Sequence, residues 1–431
     1  MNSNIISKYP VRKLIILLFV ISFIVRLSYG LYYFLKYGSS NFSDEWAYIK
    51  FAEEMLKQGV FVPDISGLTQ TKAGITPFYP LVIYLSFKAF GINYLPLVIL
   101  NAVFSSSITI LIYYIGMYSF NNTVGLLSSA WSILYINYIR WVPNLLKENL
   151  VQFLFALLIL LLLIYLLKDQ GYLILAMISI VFTVLIHTDE RYMIYYLVLV
   201  AVLFLTGQVS IRSKVLSFIF LNAVIFTFML PWLIRNYEVY HRPVILSERT
   251  AFITDRLLGY KNENYYSQEI QLSDATLDSI VKGQSIYDMT MYNIIQRGIS
   301  YGTYPKRYSR GEKMYIDFKE LWRPFRFSNM WVSEGFRPEG KWSMSHNLSL
   351  ILSYGILLPF FLTGIYFSIK TRNVTWPVML SIVLLHTIIH ITFVLSQNRY
   401  RIPIDVIIIV TAFYGLTSIY ENYRFKRKLV I

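Results

Sequence analysis

The sequence predicts an all-α polytopic membrane protein with about ten transmembrane helices. Hydrophobic residues make up 56% of the 431-residue chain and charged residues only 15%, and the mean hydropathy is +0.51. A typical soluble domain has about 25% charged residues, so this chain has too few to cover a water-facing surface. Several apolar runs have the length, about 20 residues, that a helix needs to cross hydrocarbon. Because backbone groups in lipid must be satisfied within the segment, these runs are predicted to be helices.

The first apolar run is too long for the apolar core of a signal peptide, and no small-residue cleavage site follows it. It is therefore predicted to be a retained transmembrane helix. The ten predicted spans are 12–35, 95–118, 124–140, 149–167, 171–187, 191–206, 214–235, 347–369, 375–396 and 402–421.

Lysine and arginine mark one side of the membrane. With the N-terminus inside, the inner ends of the spans carry Lys8, Arg12, Lys13, Lys168, Arg212, Lys214, Lys370, Arg372, Arg424, Lys426, Arg427 and Lys428. Because this bias in short loops sets orientation, both termini are predicted to be cytoplasmic in a multi-pass cell-membrane protein.

Two long segments then lie on the extracytoplasmic side. The first, 36–94, contains an amphipathic stretch at 44–58 and the apolar stretch 77–91. The latter has 15 residues and two prolines, so it is predicted to be interfacial or re-entrant. The second long segment, 236–346, is rich in tyrosine and charge.

The second segment is predicted to contain short helices at 267–282 and 285–300. It divides the chain into a transmembrane module, 1–235, the large loop 236–346, and the C-terminal helices with a basic tail, 347–431.

Composition also excludes some functions. The chain has no cysteine, which rules out disulfides, thiolate metal sites and cysteine nucleophiles. The net charge of +15 fits positive-inside anchoring and affinity for anionic lipid or a phosphate-bearing substrate. No arginine-rich arm or RNP-type motif occurs, so nucleic acid is not expected as a partner.

An acidic pair follows the first span. Ser43 can cap a helix whose first turn holds Asp44 and Glu45, since carboxylates there complement the helix dipole. A carboxylate at the lipid–water boundary can also have a raised pKa and act as a general base. Both interpretations stay open.

Further along, Lys72 and Tyr79 belong to a Lys-Ala-Gly-Ile-Thr-Pro-Phe-Tyr-Pro element that ends at Pro80. Alone it is a turn with two prolines. At the membrane surface it also places a lysine and aromatic rings where a lipid phosphate would lie.

Polar residues at other span ends have two interpretations each. Glu148 can complement the dipole of the next helix or face a cavity. In the cluster from His187 to Tyr192, Asp189 or Glu190 can simply pair with Arg191.

His386 and His390 have metal-ligand spacing but no third ligand beside them, which favours a hydrogen-bonded pair or cavity lining. Arg399, Tyr400 and Arg401 precede Pro403 and either anchor the helix at the interface or clamp a lipid phosphate.

Taken together, the Asp44-Glu45 pair, the element from Lys72 to Pro80, and the run from Arg399 to Pro403 resemble the polyprenyl-phosphate-sugar-dependent, C-type glycosyltransferases. The similarity is to the protein O-mannosyltransferase and lipid A aminoarabinose transferase group, and it covers nearly the whole chain through helix order and loop placement. The resemblance implies that Asp44 is the catalytic base, with Glu45 beside it. No acid accompanies the element after Lys72, so the sequence gives no clear ligand set for a divalent metal, and a cofactor stays unknown.

The resemblance implies transfer of a sugar from a polyprenyl-phosphate donor to a glycan, lipid or protein acceptor at the extracytoplasmic face. By analogy with inverting glycosidases, a single displacement that inverts the anomeric configuration is expected. The catalytic candidates are Asp44, Glu45 and Glu148, and the candidates for binding donor phosphate are Lys72, Tyr79, Arg399, Tyr400 and Arg401. Membrane lipids are expected neighbours. Two alternatives stay open: a polymerase or ligase with a lipid-diphosphate donor, and a lipid or sugar transporter. The latter class often shows inverted repeats and broken helices at mid-bilayer.

Overall fold

A computed structural model describes residues 11–38, 43–59, 75–168, 170–205, 210–240, 243–247, 310–324, 344–392 and 398–430. Within these ranges all regular secondary structure is helical and no strand occurs. The predicted helices 267–282 and 285–300 lie outside them, as do Lys72 and the side chain of Asp44.

The first half of the chain contains ten α-helices. They are α1 Val11–Tyr37, α2 Ser43–Gln58, α3 Phe78–Phe90, α4 Leu95–Ser119, α5 Asn122–Ile133, α6 Ile136–Ile139, α7 Glu148–Leu167, α8 Tyr172–Thr188, α9 Tyr196–Leu205 and α10 Ile211–Tyr240. A 3-10 helix, Glu190–Tyr195, joins α8 to α9.

The second half contains α11 Arg310–Trp322, α12 Met344–Leu350, α13 Leu357–Lys370, α14 Trp376–Thr392, α15 Asn398–Arg401 and α16 Asp405–Val430. A π-helical turn, Ile351–Gly355, lies between α12 and α13, and a 3-10 turn, Ile402–Ile404, precedes α16.

In the part of the chain that the structure describes, six helical segments are long and apolar enough to cross a membrane: Val11–Tyr37, Leu95–Ser119, Glu148–Leu167, Ile211–Glu238, Asn347–Lys370 and Arg399–Arg424. They correspond to six of the ten predicted spans. The helices at 171–187 and 375–396 are shorter, and the segment 191–206 begins as a 3-10 helix. That these cross the membrane stays a prediction, as does the interfacial or re-entrant position of α3.

The helices pack as one bundle in which α4 lies against α1, α5 and α7. In the C-terminal part, α13 packs closely on α16, because Gly364 and Gly415 let the two backbones approach. A Cβ atom at Gly364 would overlap the carbonyl of Thr411, and one at Gly415 would overlap that of Phe360. Small residues serve this purpose between membrane helices.

The predicted span 124–140 is wrong as a single helix. Asn121 caps α5 by accepting a hydrogen bond from the backbone N–H of Val124 at 2.9 Å. That helix ends at Ile133, and α6 is followed by a non-helical stretch, 140–147, which contains Pro143. Since proline donates no backbone hydrogen bond, a helix does not continue readily through it.

This stretch, residues 140–147, is mostly buried and is called the buried loop below. Asn101 on α4 donates to the carbonyls of Val142 and Asn144 at 3.2 and 2.8 Å. Asn149 on α7 donates to the carbonyl of Trp141 at 2.8 Å. Non-helical backbone is tolerated at membrane depth only where protein satisfies it, and here side chains from neighbouring helices do so.

The bundle has two chemically different ends. At one end the short connections carry basic residues: Lys168 lies over the ring of Tyr118 at 4.6 Å, and Lys214 donates to the carbonyl of Phe204 at 2.7 Å. The first turns of α7 and α16 and the last turn of α8 lie at the opposite end. Polar side chains collect there.

Candidate functional site

A small pocket lies at the end of the bundle where α7 begins, α8 ends and α15 leads into α16. Its enclosed volume is about 10 Å³. That is room for about one water molecule or one hydroxyl-sized group. The pocket is lined by Lys147, Glu148, Val151, Gln152, Asp189, Arg191, Tyr192, Arg399, Tyr400 and Pro403.

Asp189 holds two of the pocket's cations. Its carboxylate accepts bidentate hydrogen bonds from the guanidinium of Arg191 and pairs with Lys147 at 3.2 Å. It also caps the 3-10 helix by accepting from the backbone N–H of Arg191 at 3.2 Å. Burial alone would raise the pKa of Asp189, but the charges of Arg191 and Lys147 outweigh it and hold that pKa well below its usual range. The sequence predicted that Asp189 can pair with Arg191, but it did not predict the pairing of Asp189 with Lys147.

Arg399 and Glu148 close the pocket from the other side. Arg399 Nη1 lies 3.5 Å from Glu148 Oε1, joining the segment before α16 to the first turn of α7. The ring of Tyr400 contacts two guanidinium groups, 4.0 Å from Arg191 and 5.0 Å from Arg399, measured from Cζ to the ring centroid. Such cation–π contacts hold both arginines beside the pocket.

His386 positions the backbone of Tyr400. Its Nε2 lies 2.6 Å from the carbonyl of Tyr400, which can only accept, so Nε2–H donates. In the neutral ring Nδ1 then accepts from the hydroxyl of Tyr195 at 2.7 Å. His390 donates through Nδ1 to the carbonyl of His386 at 2.7 Å. The two histidines are the hydrogen-bonded pair that the sequence favoured.

Arg401 points into the bundle and does not line the pocket. It is fully buried, with Nε 2.8 Å from Asp405 Oδ1 and Nη1 3.1 Å from the carbonyl of Leu321. Asp405 also accepts from Tyr135 at 2.7 Å and Asn137 at 3.1 Å. The structure therefore gives Arg401 internal partners in place of the exposed position that a phosphate clamp needs.

Glu45 is an anchor of α2. It is fully buried, and its Oε1 accepts from the backbone N–H of Leu145 in the buried loop at 2.9 Å. Asp44 precedes it in the first turn of α2. Tyr79, in the first turn of α3, packs edge-on against Tyr48 with 5.2 Å between ring centroids and is 2% exposed. The first turns of α2 and α3 thus lie beside the loop that leads into α7.

Sequence reasoning missed Gln152. It lies one turn after Glu148 on α7 and lines the same pocket. The sequence does contain a signal for Gln152, because a polar amide inside the apolar run Val151–Leu167 is unusual in a membrane helix.

Among the described residues, no group of three histidine or carboxylate side chains comes together. Glu148 and Asp189, the carboxylates of the pocket, are both paired with cations. This donor set does not fit a divalent metal.

The fold matches solved structures of the oligosaccharyltransferase of Archaeoglobus fulgidus. The apo form aligns with a TM-score of 0.60 at 13% identity, over 98% of this chain and 52% of that chain. The structure of oligosaccharyltransferase AglB in complex with an inhibitory peptide and a dolichol-phosphate gives 0.58 at 12% identity, over 98% and 52%. The form tethered with an acceptor peptide gives 0.57 at 14%, over 97% and 50%.

The chain thus spans about half the length of these oligosaccharyltransferases. No protein-family model and no curated protein sequence matches it. At these identities the likeness shows the fold, the GT-C fold of membrane glycosyltransferases.

Proposed function

We propose that the chain is a membrane glycosyltransferase that moves a sugar from a polyprenyl-phosphate carrier to an acceptor. The observation that carries the proposal is the convergence of Lys147, Arg191 and Arg399 on one small pocket in a GT-C fold. The sequence motifs favour the protein O-mannosyltransferase and aminoarabinose transferase group within that class.

The charge of the pocket favours a monophosphate carrier. Among the described residues that line it, three cations, Lys147, Arg191 and Arg399, face two carboxylates, Glu148 and Asp189. The surplus is one positive charge, which matches the single negative charge of a phosphodiester. A lipid-diphosphate donor would carry more negative charge than the surplus positive charge of these five side chains can balance. Arg399 can contact phosphate oxygens bidentately, as guanidinium groups do.

The proposed reaction is one displacement at the anomeric carbon. The acceptor oxygen forms the new bond to that carbon, and the bond from the carbon to the phosphate oxygen breaks. The electron pair of the broken bond leaves with the polyprenyl phosphate, whose growing charge the cations stabilise. The proton of the acceptor passes to a carboxylate base, and the anomeric configuration inverts.

Asp44 is the proposed base. Glu45 already accepts a hydrogen bond from Leu145, and Glu148 is paired with Arg399 at 3.5 Å. Asp44 is adjacent to Glu45 in a first turn that Glu45 fixes beside the loop leading to the pocket. Lys72, Tyr79 and Tyr400 complete the proposed donor site.

The pocket is proposed to face the extracytoplasmic side. Lys168 and Lys214 mark the opposite end of the bundle, and basic short loops remain in the cytoplasm. In this orientation the large loop 236–346 also lies outside, where it can contribute to acceptor binding.

The test is a donor panel. The purified protein is placed in lipid vesicles with radiolabelled polyprenyl-monophosphate sugars, the matching diphosphates, and pooled glycan, lipid and peptide acceptors. Transfer from a monophosphate sugar, with release of polyprenyl phosphate, is expected. Transfer from the diphosphates alone would show that the donor is a lipid diphosphate. Movement of labelled lipid across the bilayer without sugar transfer would show that the protein is a transporter and not an enzyme.

A further inference from the structure

The amide of Gln152 is buried at the pocket without partners. The residue is 2% exposed, and neither its nitrogen nor its oxygen has a hydrogen-bond partner among the residues that the structure describes. Buried amides in folded proteins are almost always paired, because an unpaired one loses its bonds to water without replacement. A polar residue kept in a membrane helix at a pocket therefore points to a ligand.

Glu148 shares this surface of α7. The two residues are four apart, so their side chains lie on one face with Cβ atoms about 5–6 Å apart. Glu148 Oε2 also lacks a hydrogen-bond partner among the described residues, while Oε1 faces Arg399. The pocket thus presents a second acceptor atom one helical turn from the amide.

The chemistry of the amide selects the ligand group. A phosphate oxygen only accepts hydrogen bonds, and Arg191 and Arg399 already supply donors for it. An amide offers a donor and an acceptor together, which matches a hydroxyl group. The side chains of Tyr192 and Tyr400 line the same pocket.

We propose that Gln152 is a specificity-determining residue that hydrogen-bonds a hydroxyl group of the donor sugar, with Glu148 accepting from a neighbouring hydroxyl. This rests on the proposed function and deepens it. The phosphate and the sugar ring then have separate partners: the cations hold the phosphate, and the pair on α7 reads the hydroxyl pattern. A site built to bond a hydroxyl rejects the analogue that lacks it, because its buried polar groups are left unpaired.

The first test compares deoxy donors in wild type and Gln152→Met. Methionine has a similar length and no amide, so it should not lower the melting temperature. Wild type should use one deoxy donor about 10²-fold less well than the parent sugar. In Gln152→Met the two donors should be used almost equally. Leu158→Met is the matched control, since Leu158 is 1% exposed on the same helix and does not line the pocket. Equal discrimination in wild type and Gln152→Met would overturn the proposal.

The second test does not depend on transfer. Thermal shifts are measured with inorganic phosphate and with a panel of monosaccharide 1-phosphates. One sugar phosphate should stabilise wild type more than inorganic phosphate does, and Gln152→Met should lose this difference while keeping the response to inorganic phosphate. Equal shifts for all these anions in wild type, or no shift, would overturn the role of Gln152. A sugar-dependent shift without transfer from any donor would instead leave Gln152 in place and contradict the proposed function.

Discussion

The carboxylate of Glu45 accepts a hydrogen bond from the backbone N–H of Leu145, a residue one hundred positions further along the chain. The bond ties the first turn of α2 to the buried loop that leads into α7. It also separates the two members of the acidic pair by role. Glu45 fixes the position of the helix, and Asp44 is the member proposed as the base.

The Asp44→Asn variant should separate catalysis from folding. Asparagine keeps the size of aspartate and can still accept a hydrogen bond in the first turn, so the melting temperature should stay near that of wild type. Transfer should fall by roughly 10²–10⁴-fold, the usual contribution of a general base. Glu45→Gln is the matched control, because its side-chain oxygen can still accept from Leu145. Wild-type transfer by Asp44→Asn together with an inactive Glu45→Gln would mean that the base is misassigned.

Asp189→Ala should destabilise the protein. The substitution leaves the partly buried Arg191 and Lys147 without their carboxylate, and breaking a fully buried pair, the upper limit here, costs about 3–5 kcal/mol. The effect depends on pH. Because the folded pKa of Asp189 is depressed, its contribution is present above the unfolded pKa of about 3.9 and is lost as pH falls toward the folded value. Thermal unfolding of both proteins should differ most near pH 7, and the difference should shrink below about pH 4. A constant difference over this range would show that Asp189 acts through packing.

Arg399→Ala and Arg401→Ala should fail in different ways although the residues are two apart. Arg399 faces the pocket, so its loss should lower transfer by about 10²–10³-fold, as removal of one transition-state donor does, with modest change in melting temperature. Arg401 is fully buried against Asp405, so its loss should lower stability by about 3–5 kcal/mol. Transfer and unfolding measured on the same preparations distinguish the two. Normal transfer by a folded Arg399→Ala protein would show that Arg399 only anchors the helix at the membrane interface.

The orientation can be tested by labelling, since the chain has no native cysteine. Ser279→Cys lies in the large loop and Ser210→Cys precedes α10 at the basic end. A membrane-impermeant thiol reagent applied to intact cells should label the first and spare the second. The reverse pattern would place the pocket on the cytoplasmic side.

The sequence predicted the helices whose formation depends on the composition and spacing of neighbouring residues. Apolar length located six long spans, and the amphipathic stretch 44–58 coincides with α2.

The rest depends on contacts between distant segments. Apolar composition alone could not reveal that the helix predicted at 124–140 breaks, because the buried loop is stabilised by Asn101, Asn149 and Glu45 from three other helices. The pairing of Lys147 with Asp189 likewise joins residues of different helical connections, which periodicity and capping rules do not connect.

The buried loop also constrains the order in which the protein is made. Its carbonyl and N–H groups cannot enter lipid alone, since each unsatisfied group there costs several kcal/mol. Translation delivers Glu45 and Asn101 before the loop emerges, and Asn149 only two residues after it ends. The loop therefore stays in contact with water, or with the insertion machinery, until α7 enters the bilayer beside α4.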